Sequence, residues 1–122
     1  MSATMTQTNG EVLVLYFTEG KILDEAVIAQ VGAELDSAVT RAEHGQLLLN
    51  FKDVKFMSSS VLGKLVSLYK KCKANKITLK FCDIRPEIME IFKITNLHRI
   101  FDIQADEASA LASFGKKKWF FQ

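Results

Sequence analysis

The spacing of apolar residues changes several times along this chain. Glu11-Val-Leu-Val-Leu-Tyr-Phe-Thr18 is a short apolar run rich in β-formers and reads as a strand. Gly20 and Asp24 punctuate its end, and Asp24 is placed to cap the next element. From Asp24 to about Thr40 the period lengthens. Ile28, Val31, Leu35 and Ala38 recur at three- and four-residue spacing, with Glu25, Gln30, Glu34 and Asp36 elsewhere. That pattern predicts an amphipathic helix with one core face. Gln46-Leu-Leu-Leu-Asn-Phe51 is continuously apolar, as expected of a strand covered on both faces. Lys52 to Met57 reads as a short extended connection.

Ser58-Ser59-Ser60 then precedes a second helical stripe of Leu62, Leu65, Val66, Tyr69 and Cys72. Serines ahead of such a run are helix-start signals. Ile77 to Cys82 alternates and predicts a strand with one wetter face. Pro86 suits the first turn of a helix through about Ile94, with Ile88, Ile91 and Phe92 inward. His98 to Ile103 reads as a last short strand. Asp106 opens a terminal helix with Ala108, Leu111 and Ala112 inward. Residues 1–9 either fray or add an edge strand.

Strands alternating with helices predict an α/β fold in one domain. The expected architecture is a mixed, mainly parallel sheet of four to five strands packed with about four helices. The 122 residues suffice for one core, and neither a repeat nor a linker divides them. The 48% hydrophobic and 25% charged residues exclude bulk disorder.

Charge narrows the function. The net charge is +2, and Lys and Arg are scattered rather than gathered in a stripe, so nucleic acid is not an expected partner. Lys70-Lys71-Cys72-Lys73 reads as a solvated helix face. Lys116-Lys-Lys-Trp-Phe-Phe-Gln122 reads as a cap whose aromatics cover an apolar edge, against a basic-aromatic contact with a membrane or partner. No apolar run approaches the ~20 residues of a membrane span, so stable membrane insertion is not expected. Met1 to Gly10 lacks an apolar signal core, so Cys72 and Cys82 are expected reduced in a cytoplasmic protein.

Catalytic patterns are missing from the residues. The six glycines form neither a dinucleotide fingerprint nor a phosphate loop, and there is no nucleophile elbow. His44, in a loop beside Glu43, and His98, beside Arg99, are poor general bases. No metal-ligand spacing joins them to the cysteines. The unusual segment is Phe56-Met-Ser-Ser-Ser-Val-Leu-Gly-Lys64, where a strand gives way to a helix. Open α/β sheets place functional surfaces there. From the residues alone, the serines cap the helix.

Phe56 to Gly63 resembles the phosphorylation loop of STAS-domain anti-sigma-factor antagonists, which reads aromatic-Met-Asp-Ser-Ser/Thr-Gly-Leu-Gly. Phe56, Met57, Leu62 and Gly63 agree with it, Ser59 takes the phosphorylatable serine's place, and Ser60 takes that of the following Ser/Thr. The resemblance continues through Leu47–Val54, Lys80–Ile88, Phe92–Leu97 and Ile100–Ile103, and covers about residues 10–113. It leaves residues 1–9 as a polar segment and 114–122 as a tail. Ser58 stands where the family usually has Asp, and Val61 where it has Gly.

The resemblance implies a partner switch without enzymatic activity or cofactor. The unmodified domain would bind an anti-sigma factor of the serine-kinase type and free a sigma factor. Phosphorylation by that kinase would weaken the complex, and a serine phosphatase would reset it. Ser59 is the implied acceptor, with Ser58 and Ser60 as alternatives. The implied docking surface is Met57, Ser58, Ser59, Ser60, Val61, Gly63, Lys64 and Ser67. A second reading is a STAS scaffold without a phosphoswitch, fixed in a larger signalling or lipid-transport assembly.

Overall fold

Strands and helices fill the chain from Thr4 to Ser113 in the structure, a computed structural model that describes residues 2–114. The elements are β1 (Thr4–Asn9), β2 (Val12–Phe17), β3 (Lys21–Ile22), α1 (Glu25–Arg41), β4 (Gln46–Asn50), β5 (Phe56–Met57) and α2 (Ser59–Ala74). After them come β6 (Thr78–Cys82), α3 (Pro86–Ile94), a 3₁₀ turn (Leu97–Arg99), β7 (Asp102–Gln104) and α4 (Glu107–Ser113). The main sheet runs β1-β2-β4-β6-β7. β1 is antiparallel to β2, and the other pairs are parallel. This is the mixed, mainly parallel sheet and four-helix complement that the alternation predicts.

Each side chain in β4 shows why that strand is apolar throughout. Leu47 and Leu49 face the larger core with Leu13, Leu15, Phe17 and Phe81, beneath α1, α2 and α3. Leu48 faces the other way, with Val12, Val14 and Cys82, beneath Ala110 of α4 and Phe114. Aromatic rings fill the larger core. Phe81 stacks on Phe101 with centroids 4.5 Å apart, and Phe51 stacks on Phe81 at 5.5 Å.

Local signals account for the helix starts. Asp24 Oδ1 accepts from Ala26 N–H at 2.8 Å, and all four expected residues, Ile28, Val31, Leu35 and Ala38, are buried. Pro86 occupies the first turn of α3, where its missing N–H breaks no helical bond. Cys72 and Cys82 are free and buried.

Several expectations need correction. Leu97–Arg99 is a 3₁₀ turn and the strand begins only at Asp102, because Asn96 adopts a left-handed φ of 62° and Phe101 is drawn into the core. The second face of β6 is wet only at Thr78, because α4 covers it at Lys80 and Cys82. Lys80 there is buried, bridged to Asp102 at 2.7 Å with its Nζ 5.3 Å from the Phe114 ring centroid. In α4 the buried residue is Ala110, while Ala108 and Ala112 are exposed. The buried stripe of α2 is Val61, Leu62, Leu65, Leu68 and Cys72, with Val66 and Tyr69 half-buried. Of the two readings of residues 1–9, the strand holds for Thr4–Asn9, with Gly10 at φ +62° in the hairpin turn to β2. The Lys116–Gln122 tail lies outside the described residues.

Candidate functional site

A second, two-stranded ladder positions the serine segment. Lys21 pairs with Phe56 and Ile22 with Met57, in parallel. Lys55 and Phe56 N–H both donate to Gly20 O, at 2.8 and 3.1 Å, and Ser58 N–H donates to Ile22 O at 2.9 Å. The chain after β2 is thereby tied to the chain entering α2.

Ser58 is the N-cap, with extended backbone at φ −71° and ψ 151°, and its Oγ accepts from Ser60 N–H at 3.2 Å. Ser59 and Ser60 are the first helical residues, and both are exposed. Ser60, Gly63, Lys64 and Ser67 then recur at helical spacing on one exposed face. Nothing lies within 4 Å of a β-carbon built on Gly63, so the surface there is open. No acidic residue occupies the first turn of α2. The partial positive charge of the helix N-terminus is therefore not offset by a side chain.

Two residues of the expected docking set turn inward instead. Val61 is fully buried, and Met57 is 6% exposed. Val61, Leu65, Leu68 and Cys72 share one stripe of α2 against the sheet, and Met57 is drawn in by its pairing with Ile22. Both support the loop from beneath.

Two apolar side chains flank the serines on the outside. Leu23 and Phe56 are each 53% exposed, and Lys21 Nζ lies 5.7 Å from the Phe56 ring centroid. Sequence reasoning missed both as surface residues, because two-residue strands carry no period. The only available signal was Phe56, as the aromatic of the loop motif.

A polar network closes the carboxyl ends of the central strands. Tyr16 OH donates to Glu107 at 2.9 Å, and Asn50 Nδ2 donates to Glu107 at 2.8 Å and to Asp83 at 3.2 Å. Burial, then the hydrogen bond and charge of Glu107, push the Tyr16 phenol up to about 12. Burial pushes the Cys72 thiol up to about 11. It also raises Cys82, with Asp83 adding to the shift. Neither thiol is an activated nucleophile. His44 is exposed in its loop, and His98 lies in the 3₁₀ turn with Nδ1 3.4 Å from Phe92 O. Among the described residues no group of His, Cys, Asp and Glu is arranged to hold a metal ion. No described helix is long and apolar enough to cross a membrane.

A mixed, mainly parallel sheet carrying a helix whose serine-capped first turn is exposed defines a small α/β domain. The family is the STAS domain. Its model matches residues 3–110, and the chain belongs to it. An anti-sigma F factor antagonist of Paenibacillus polymyxa is 28% identical over 89 residues, which are 73% of this chain and 76% of that protein. An anti-sigma-factor antagonist (STAS) domain protein from Planctomyces limnophilus superposes with a TM-score of 0.82 at 20% identity, covering 93% of this chain and 98% of that one. The Bacillus cell fate determinant SpoIIAA, in its phosphorylated form, gives a TM-score of 0.66 at 20% identity, covering 90% of this chain and 97% of that one.

Proposed function

We propose that the domain is an anti-sigma-factor antagonist that docks on an anti-sigma factor of the serine-kinase type and is switched off by phosphorylation of Ser59. The observation that carries this reading is the exposure of Ser59 at the first helical position, on a loop tied down by the β3–β5 ladder. Unmodified, the domain binds its partner through Ser58–Ser60, Gly63, Lys64 and Ser67, and the sigma factor is released. The kinase transfers the γ-phosphoryl group of ATP, held in its own site, to Ser59 Oγ. The phosphate brings about two negative charges. It lies at a helix N-terminus, which favours anions, so the fold tolerates it while the docking surface changes sign. A serine phosphatase restores the hydroxyl.

Ser58 favours a second reading. A serine there caps the helix as well as the family's aspartate does, but it removes an acidic neighbour of the acceptor. On that reading the domain is a constant docking subunit of a larger signalling or lipid-transport assembly.

Recovery from the native host with bound partners, followed by phosphosite mapping, separates the two. Phosphate on Ser59, with a kinase-type anti-sigma factor bound only to the unmodified form, supports the switch. A co-purifying kinase active on another antagonist, with Ser58, Ser59 and Ser60 all unmodified, refutes it.

A further inference from the structure

β1 forms an edge of the sheet, and its outer side is unpaired among the described residues. Thr18 N–H donates to Ala3 O at 2.9 Å. Hydrogen-bonded pairs alternate along an antiparallel ladder. In the observed register, Thr4 opposite Phe17 and Met5 opposite Tyr16, the backbone groups aimed at β2 belong to Met5, Gln7 and Asn9. Those of Thr4, Thr6 and Thr8 face away from the sheet. β1 is six residues long and contains no charge, proline or glycine. Sheet edges are ordinarily guarded by such residues or by shortness. β7, the opposite edge, is three residues long and begins with Asp102.

We propose that two copies of this chain join at β1, strand to strand and antiparallel, about a two-fold axis at Met5. In that register Thr4 faces the partner's Thr6, and both use their outward groups. Met5 faces the partner's Met5 at a non-hydrogen-bonded position, where side chains approach most closely. Met5 is 52% exposed, so the pairing covers an apolar side chain that the single chain leaves in water.

Charge on α1 fits the same register. Glu34 accepts from Thr4 Oγ1 and from Ala3 N–H, and Arg41 Nη2 donates to Thr6 Oγ1. Setting Thr4 against the partner's Thr6 brings Glu34 alongside the partner's Arg41, once on each side of the axis. Such complementarity fixes register. A groove of about 330 Å³, lined by Ser2, Thr4, Thr6, Glu34 and Arg41 among others, runs along this edge.

Sedimentation velocity on the full chain tests the proposal, with a concentration-dependent monomer–dimer equilibrium expected. Thr6→Pro removes an outward N–H that the β1–β2 ladder does not use. The monomer keeps its fold, and dimerisation weakens by about tenfold or more, since the symmetric contact loses each bond twice. Met5→Lys opposes two ammonium groups across the axis and weakens the dimer without touching the backbone. Amide exchange on the unaltered chain needs no variant. Thr4, Thr6 and Thr8 are protected at high concentration and exchange quickly on dilution, while Met5, Gln7 and Asn9 stay protected throughout. A monomer at every concentration overturns the proposal, as does a dimer indifferent to both substitutions. Threonine protection that is unchanged on dilution also overturns it, because the edge would then be covered from within one chain.

Discussion

Lys64 of α2 lies across Gly32 of α1. A β-carbon built on Gly32 would stand 2.9 Å from Lys64 Cδ and 3.1 Å from its Cε. The bare backbone of α1 thus gives the lysine stem its path on the exposed face. Alanine is the better helix former by about 1 kcal/mol, and the obstacle is a flexible stem. Gly32→Ala is expected to raise stability by up to about 1 kcal/mol while displacing Lys64. A higher urea midpoint together with weaker partner binding is the expected pair of results. A lower midpoint would mean that the stem is held too firmly to yield.

Ser58 and Ser59 separate by chemistry, although they are neighbours. Ser58→Ala removes the N-cap bond to Ser60 N–H and should destabilise the domain by about 1 kcal/mol, whereas Ser58→Asp should be neutral. Ser59→Asp places a charge in the first turn, which the helix dipole favours by about 0.3–1 kcal/mol. Stability should hold or rise while partner affinity falls. Ser59→Ala should leave stability nearly unchanged and make binding insensitive to the kinase and ATP. Thermal melts and binding titrations on the same four variants give the test, and a destabilised Ser59→Asp would contradict the proposed switch.

Val61→Gly would restore the residue usual in the family and empty a fully buried position. Lost burial and poorer helix propensity together should destabilise the domain by about 2–4 kcal/mol. Urea unfolding reads this directly. A change within a few tenths of a kcal/mol would show that Val61 does not pack as described.

Tyr16 should make stability fall at alkaline pH. Its folded value is raised to about 12 from an ordinary 10.0, so folding favours the protonated phenol. That contribution is intact below pH 10 and lost as the pH rises through 12. Tyr16→Phe should flatten this part of the stability profile. Phenolate absorbance should show Tyr16 titrating late in the native chain, and Glu107→Gln should bring it earlier. An unshifted Tyr16 would show that the phenol is neither buried nor bonded to Glu107 in solution as described.

The helical parts of this fold were open to reading because their signals are local and repeated. The four inward residues of α1, the Asp24 cap and the Pro86 start each rest on spacing or on a single backbone bond. What stayed hidden depends on distant partners. β3 and β5 have two residues each and exist only because they pair. Lys80 looks like a solvent residue until α4 and Asp102 enclose it. At the candidate site, the serines announce a helix start, but the facing of its first turn is not written in them. The core stripe begins at Val61 rather than Leu62, and that one-residue difference turns Val61 inward.

The β3–β5 ladder makes Leu23, Phe56 and the serines one preformed patch. Association there needs little loop ordering, so little affinity is lost to conformational entropy. On the proposed switch, discrimination between the two states of Ser59 would rest on the charge carried by one side-chain oxygen, with the surrounding contour held constant. A partner reading such a patch would sense potential rather than shape, and the lifetime of the complex would be the quantity that the proposed phosphorylation adjusts.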